Sequence, residues 1–274
     1  MTAPVESRAR EDELILGAGL LAGGANVIMQ LARPGVGYGV VESKVESGNI
    51  FKHPVKRTRT TLTYLAVATM GTDEERKQFR RATNRSHAQV RSGPDSPVSY
   101  NAFDKNLQLW VAACLYRGVE DTYNLLIGEL ADDEIDELYR RAITLGTTLQ
   151  VTEDMWPPNR KAFEEYWNDA LDQVHVDDTV RAYLHQIAVL GFMPRWVSLP
   201  LGGFNKFITT GFLPPRFREE MRLPWTDRDQ RRFERMMRRL GAVVRRLPPV
   251  LRKFPFNYYL WDVRRRIKAG KPLV

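Results

Sequence analysis

The chain has 274 residues, 43% hydrophobic and 27% charged, with a formal net charge of +8, a balance that excludes disordered and fibrous classes and is long enough for one sizeable core. A single cysteine, Cys114, excludes an internal disulfide and any multi-cysteine zinc or iron–sulfur centre, and its place in the apolar run Leu109–Tyr116 reads as a buried, inert thiol. The expectation from cysteine usage is a cytoplasmic protein.

The first apolar segment, Leu14–Ala32, carries no formal charge and approaches membrane-spanning length. Its glycines at 17, 19, 23 and 24, with Asn26 and Gln30, point instead to a buried helix with close neighbours. The acidic cluster Glu11-Asp12-Glu13 before it is wrong for a signal peptide, and residues 1–12 read as a flexible N-terminal tail. Arg33-Pro34-Gly35 ends that helix, and Val36–Val45 continues as a short helical or irregular stretch.

His53-Pro54 opens a helix over Val55–Met70, stopped by Gly71. Its inward face runs Arg57, Thr61, Tyr64, Leu65 and Ala68. Arg57 and Thr61, four residues apart, share that face. Thr72 and Glu75 form a capping box for a helix that runs to about Arg91 and closes at Gly93-Pro94. Its apolar face holds Phe79, Thr83, Ser86, His87 and Val90, so the helical period turns His87 inward.

Asp104 caps a strongly apolar helix from Leu107 to Ile127. Further helices are expected over 132–145, 159–174, 177–190 and 204–213. A long helix starts at Thr226, with Asp229 three residues on, and a terminal helix starts near Phe256. Alternation with period two is nowhere sustained, and there is no repeat. The pattern predicts an all-α fold, a single domain over 1–274 built as a bundle of about eight to ten helices.

Arg228, Arg231, Arg232, Arg235, Arg238, Arg239, Arg245 and Arg246 make the penultimate long helix basic, opposite a stripe of Phe233, Met236, Met237, Leu240, Val243 and Val244. A solvated face and a membrane-peripheral or acidic-partner surface are both open readings of the Arg228–Arg246 segment. No nucleic-acid partner is expected, because no recognition-module signature accompanies the charge.

Among chemistry-bearing motifs, a phosphate-binding glycine loop, a His-Glu-x-x-His helix, a Glu-x-x-His pair and a nucleophile elbow are all absent from the sequence. There remains one inward histidine of four. His87 is either a satisfied core residue or a ligand, and a haem iron needs only one such side chain. Arg57 is either a surface arginine beside Lys56 and Arg59 or a donor aimed into a pocket. Thr61 either bonds back to its own helix or positions a bound group.

The run Met29-Gln-Leu-Ala-Arg-Pro-Gly-Val-Gly-Tyr-Gly-Val40, with Phe51-Lys-His-Pro-Val-Lys-Arg-Thr-Arg-Thr-Thr61, Asn84-Arg-Ser-His87, Tyr100-Asn-Ala-Phe-Asp104, Leu109-Trp-Val111 and Leu223-Pro-Trp225, resembles the haem-dependent family of MpaB-type oxygenases and rubber oxygenases (latex-clearing proteins), abundant in actinobacteria. The likeness extends over about 14–250. It implies a helical domain enclosing haem b (iron protoporphyrin IX), with His87 as the metal ligand and Arg57 and Thr61 as cofactor-binding and catalytic residues on the distal side. The implied function is an oxygenase acting with dioxygen on a hydrophobic, olefinic or lipid-like substrate. A non-catalytic haem sensor or carrier, and a haem-free helical interaction protein at a membrane, are the alternative readings. The chain departs from the family at Ala112, where many members have histidine, at Arg33, where many have His-Pro, and at Thr60, where the rubber oxygenases have lysine.

Overall fold

A computed structural model describes residues 15–274 apart from Glu129; the expected tail over 1–12, the acidic cluster and Leu14 lie outside the described residues. A 3-10 turn, Gly17–Ala22, leads into α1 (Gly23–Leu31). The expected single first helix is therefore two pieces, and its boundary falls at the paired glycines 23 and 24. Pro34 then sits in the first turn of α2 (Pro34–Val41), where its missing N–H costs no hydrogen bond. It starts a helix as well as separating it from α1.

Two helices follow that frame the site, α3 (Pro54–Met70) and α4 (Asp73–His87). The capping box forms as expected: the Thr72 N–H donates to Glu75 at 2.8 Å and the Glu75 N–H donates to the Thr72 hydroxyl at 3.3 Å. Helix α4 stops at His87, earlier than the expected Arg91. Residues 90–92 pair instead with 100–102, through Ser92 N–H to the Tyr100 carbonyl and Ala102 N–H to the Val90 carbonyl, both 2.9 Å. This bridge, Arg91 with Asn101, takes the backbone groups that further helix would have used. No β-strand occurs among the described residues.

Helix α5 (Lys105–Leu126) is the central column, started by Asp104, whose side chain accepts from the N–H groups of Asn106 and Leu107. It packs against the 3-10 turn, α1, α7 (Thr144–Thr147) and α12 (Asp227–Val244). Between α5 and α7 runs α6 (Asp132–Ala142). Trp110 and Tyr116 of α5 are fully buried. Trp110 stacks on Trp167 of α8 (Arg160–Leu171) at 5.2 Å, and Tyr116 meets Phe163 edge-on at 4.8 Å. Where α5 and α12 cross, the approach is close: a Cβ at Gly241 would lie 2.2 Å from the Leu126 carbonyl oxygen. Cys114 is buried in this column, and burial drives its thiol pKa well up, as expected of an inert thiol.

The remaining helices are α9 (Asp178–Ala188), α10 (Arg195–Phe212), α11 (Pro215–Glu220), α13 (Pro249–Arg252) and α14 (Phe256–Lys268). Helix α10 begins well before the expected residue 204 and contains Pro200 in its second turn, where the missing N–H leaves the Trp196 carbonyl without its helical partner. Helix α14 lies along α3, joining Phe256, Leu260 and Val263 to Leu62, Ala66, Val67 and Phe79 in a second core cluster.

On α12 the expected stripe buries Phe233, Met237 and Val244, but Val243 is exposed. Gly241 and Val244 hold the inward register there and rotate Val243 out. The arginines from Arg228 to Arg246 lie on the exposed side. Among the described residues no helix is long and apolar enough to cross a membrane.

Candidate functional site

Helices α2, α3, α4, α5 and α7 surround a mostly apolar cavity of about 330 Å³. Arg57, Thr61, Tyr64 and Leu65 reach it from α3; Phe79, Thr83, Ser86 and His87 reach it from α4. The two faces read from helical period therefore meet across one space. Helix α4 is fixed in this position by its other side: the Arg80 Nε donates to the Thr148 carbonyl at 3.1 Å, and Asn84 accepts from the Gln150 amide at 2.7 Å.

Arg57 is half-buried and its Nη1 donates to the Thr61 hydroxyl at 2.9 Å; that hydroxyl donates to the Arg57 carbonyl at 3.1 Å. Thr61 thus bonds back to its own helix, as one of its two readings has it, and its hydroxyl also holds the guanidinium. Burial lowers the Arg57 pKa, yet a guanidinium stays charged in a protein. No carboxylate pairs with Arg57 among the described residues. An unpaired cation turned to an apolar cavity is a site for an anionic or electron-rich group.

His87 is the last residue of α4. The edge of its ring meets Phe103 at 6.3 Å, and its Nδ1 is buried with no hydrogen-bond partner. Burial first, and the Arg57 charge second, push its pKa below the ordinary imidazole value. His87 is therefore neutral at pH 7 and has a lone pair free to ligate. The Thr83 hydroxyl, one turn earlier, is also buried and unpartnered. The two unpartnered atoms lie on the same helix and at the same cavity, where a bound group could take them up.

Sequence periodicity missed several wall residues. Gln108 of α5 is buried, donates to the Ala102 carbonyl at 2.6 Å and accepts from the Gln150 N–H at 2.8 Å, closing one end of the cavity. Gly35 lets α2 approach: a Cβ there would press Leu107 at 2.9 Å. Alternating glycines at 35, 37 and 39 were the available signal for that approach.

The three departures fall in different places. Thr60 lines the cavity, so that change touches the site. Ala112 is buried with its Cβ facing Gly146, and it is the neighbouring Val111 that lines the space. Arg33 lies over the Trp110 ring at 5.9 Å and donates to Gln173, away from the wall.

Among the described residues no group of three or more His, Cys, Asp or Glu side chains is gathered as a metal site. A haem brings four nitrogen ligands of its own and asks the protein for one. The orphaned His87 nitrogen, the uncompensated Arg57 and the apolar walls fit such a group.

Fold and cavity together define an all-α domain built around an inward histidine and arginine. The chain belongs to the family described as ER-bound oxygenase mpaB/B'/Rubber oxygenase, catalytic domain, which matches residues 14–245. It is similar to uncharacterized protein Rv2237 of Mycobacterium tuberculosis and uncharacterized protein Mb2261 of Mycobacterium bovis. Each is 52% identical over 255 residues, covering 93% of this chain and 100% of the relative. No solved structure matches the chain.

Proposed function

We propose that the cavity holds a b-type haem ligated by His87, and that the protein is an oxygenase acting with dioxygen on a hydrophobic, olefinic or lipid-like substrate. The observation that carries this reading is the buried, unpartnered Nδ1 of His87 at the cavity that Arg57 and Thr61 also line. Membership of an oxygenase catalytic-domain family supports it. When bound, haem iron supplies the one-electron and oxygen chemistry that side chains lack.

The chain's own residues prepare the site. Burial and Arg57 keep the His87 imidazole neutral, the form that donates a lone pair. Thr61 fixes the Arg57 guanidinium, which then donates hydrogen bonds to negative charge inside the cavity without having to reorganise. Leu65, Val111 and Leu115 line the cavity, exclude water and give an apolar substrate a surface to lie on.

The test is the visible absorption spectrum of protein from haem-supplemented cells, beside His87→Ala. A Soret band in the wild type that the variant loses or shifts is the expected result. A colourless wild type that cannot be reconstituted overturns the reading. Oxygen consumption by the reduced protein with candidate lipids then separates an oxygenase from a haem carrier.

A further inference from the structure

Helix α10 does not line the cavity, and it has a feature the oxygenase reading does not use. The first half of α10 shows water a row of large apolar side chains: Trp196 is 79% exposed and Leu199 is 72% exposed, with Phe204 continuing the same face. At 100° per residue, positions 196, 199, 200, 203 and 204 share one side of the helix. No charge interrupts residues 196–205, while Arg195 and Lys206 bracket them.

A second group of exposed apolar residues is carried by elements joined to α10 through the 3-10 turn. The 3-10 turn Gly17–Ala22 packs against both α10 and α13, and Gly17 is in direct contact with the backbone at Phe254. Leu20 of that turn, with Val250 and Phe254, is also exposed. Isolated exposed apolar residues are ordinary, but a cluster drawn from three elements marks a contact surface.

Charge says what the contact is. The three chain segments that build this face contain no carboxylate: there is no Asp or Glu between Glu13 and Glu42, between Asp178 and Glu219, or between Glu234 and Asp262. Arg195 and Lys206 flank the ridge, and Lys253 stands directly before Phe254. A two-fold dimer through such a face would set cations against cations. An anionic lipid surface satisfies both halves of it, with apolar rings entering the interfacial layer and the basic rim meeting headgroups.

We propose that this carboxylate-free face of α10, the 3-10 turn and α13 docks the protein on an anionic bilayer surface, with Trp196, Leu199 and Phe204 as the inserted groups. Docking thus centres on this apolar ridge, and the arginines of α12 act as a general positive field.

The experiment is co-sedimentation of the purified full chain with phosphatidylcholine vesicles, with and without phosphatidylglycerol. Selective retention by the anionic vesicles is expected. Trp196→Glu with Leu199→Glu should weaken it by at least about tenfold with an unchanged circular dichroism melt, since both side chains are largely in water. Arg231→Glu with Arg235→Glu on α12 should weaken it less. The proposal is overturned if the wild type ignores anionic vesicles, or if the α12 pair abolishes binding while the α10 pair leaves it intact. It also fails if light scattering shows a dimer that the α10 pair breaks while vesicles bind neither form.

Discussion

Arg57 and His87 sit on successive helices and face one cavity, and the guanidinium charge adds to burial in holding the imidazole deprotonated. A cation placed beside a candidate ligand protects its lone pair from protons. Arg57→Gln should accordingly raise the His87 pKa towards its ordinary value. An NMR titration of the imidazole C–H signals in both proteins measures this; an unmoved midpoint would assign the whole effect to burial.

The same lowered pKa has a consequence for stability. In the unfolded chain His87 takes its proton near the ordinary pKa of 6.5, whereas the folded protein resists protonation until a lower pH. Between the two values the unfolded state binds more protons, so stability is lost as pH falls through that window. Thermal melts of wild type and His87→Leu from about pH 7.5 to about pH 5.5 should show the steeper loss in the wild type.

Asp121 titrates with the opposite sign. Desolvation pushes its carboxyl up to about 7, with Glu120 and Glu164 adding to the rise and Arg117 opposing it. The folded state then holds a proton that the unfolded state releases at lower pH, so wild-type stability falls as pH rises towards 7. Asp121→Asn should be more stable than wild type at about pH 8 and lose that advantage by about pH 5. Urea midpoints at the two pH values decide it.

Thr61→Val removes the hydroxyl that accepts from Arg57 while keeping the shape of the side chain. A loss of about 1 kcal/mol in urea denaturation is expected, the usual net worth of one such hydrogen bond. Thr61→Ser should retain most of it. In haem-loaded protein the Val variant alone should alter the spectrum, because only there is Arg57 released.

Gly241→Ala should cost about 1–3 kcal/mol or more by forcing α5 and α12 apart, since its Cβ would meet backbone atoms of Leu126. Gly23→Ala is the control. Its Cβ would meet nothing within 4 Å, so the change should be neutral or mildly stabilising, by at most about 1 kcal/mol.

Thr72 with Glu75, Asp104, and Thr226 with Asp229 start their helices where the sequence alone places them, because a cap depends on groups within three residues. The 3.6-residue period likewise turned Arg57, Thr61 and His87 to the inner faces of α3 and α4 without reference to any distant residue. Where a remote segment competes, local rules failed. The pairing of 90–92 with 100–102 cut α4 at His87, and α10 starts at Arg195, well ahead of the expected residue 204, despite Pro200. Only the tertiary structure decided that the α3 and α4 faces share a cavity, that Thr60 touches it while Ala112 does not, and that Val243 and Trp196 stay in water. By itself the sequence determined the all-α class, the caps and the inward register, since these arise from neighbours along a single helix. Which faces meet, and which are left without a partner, depends on contacts between segments far apart in the chain.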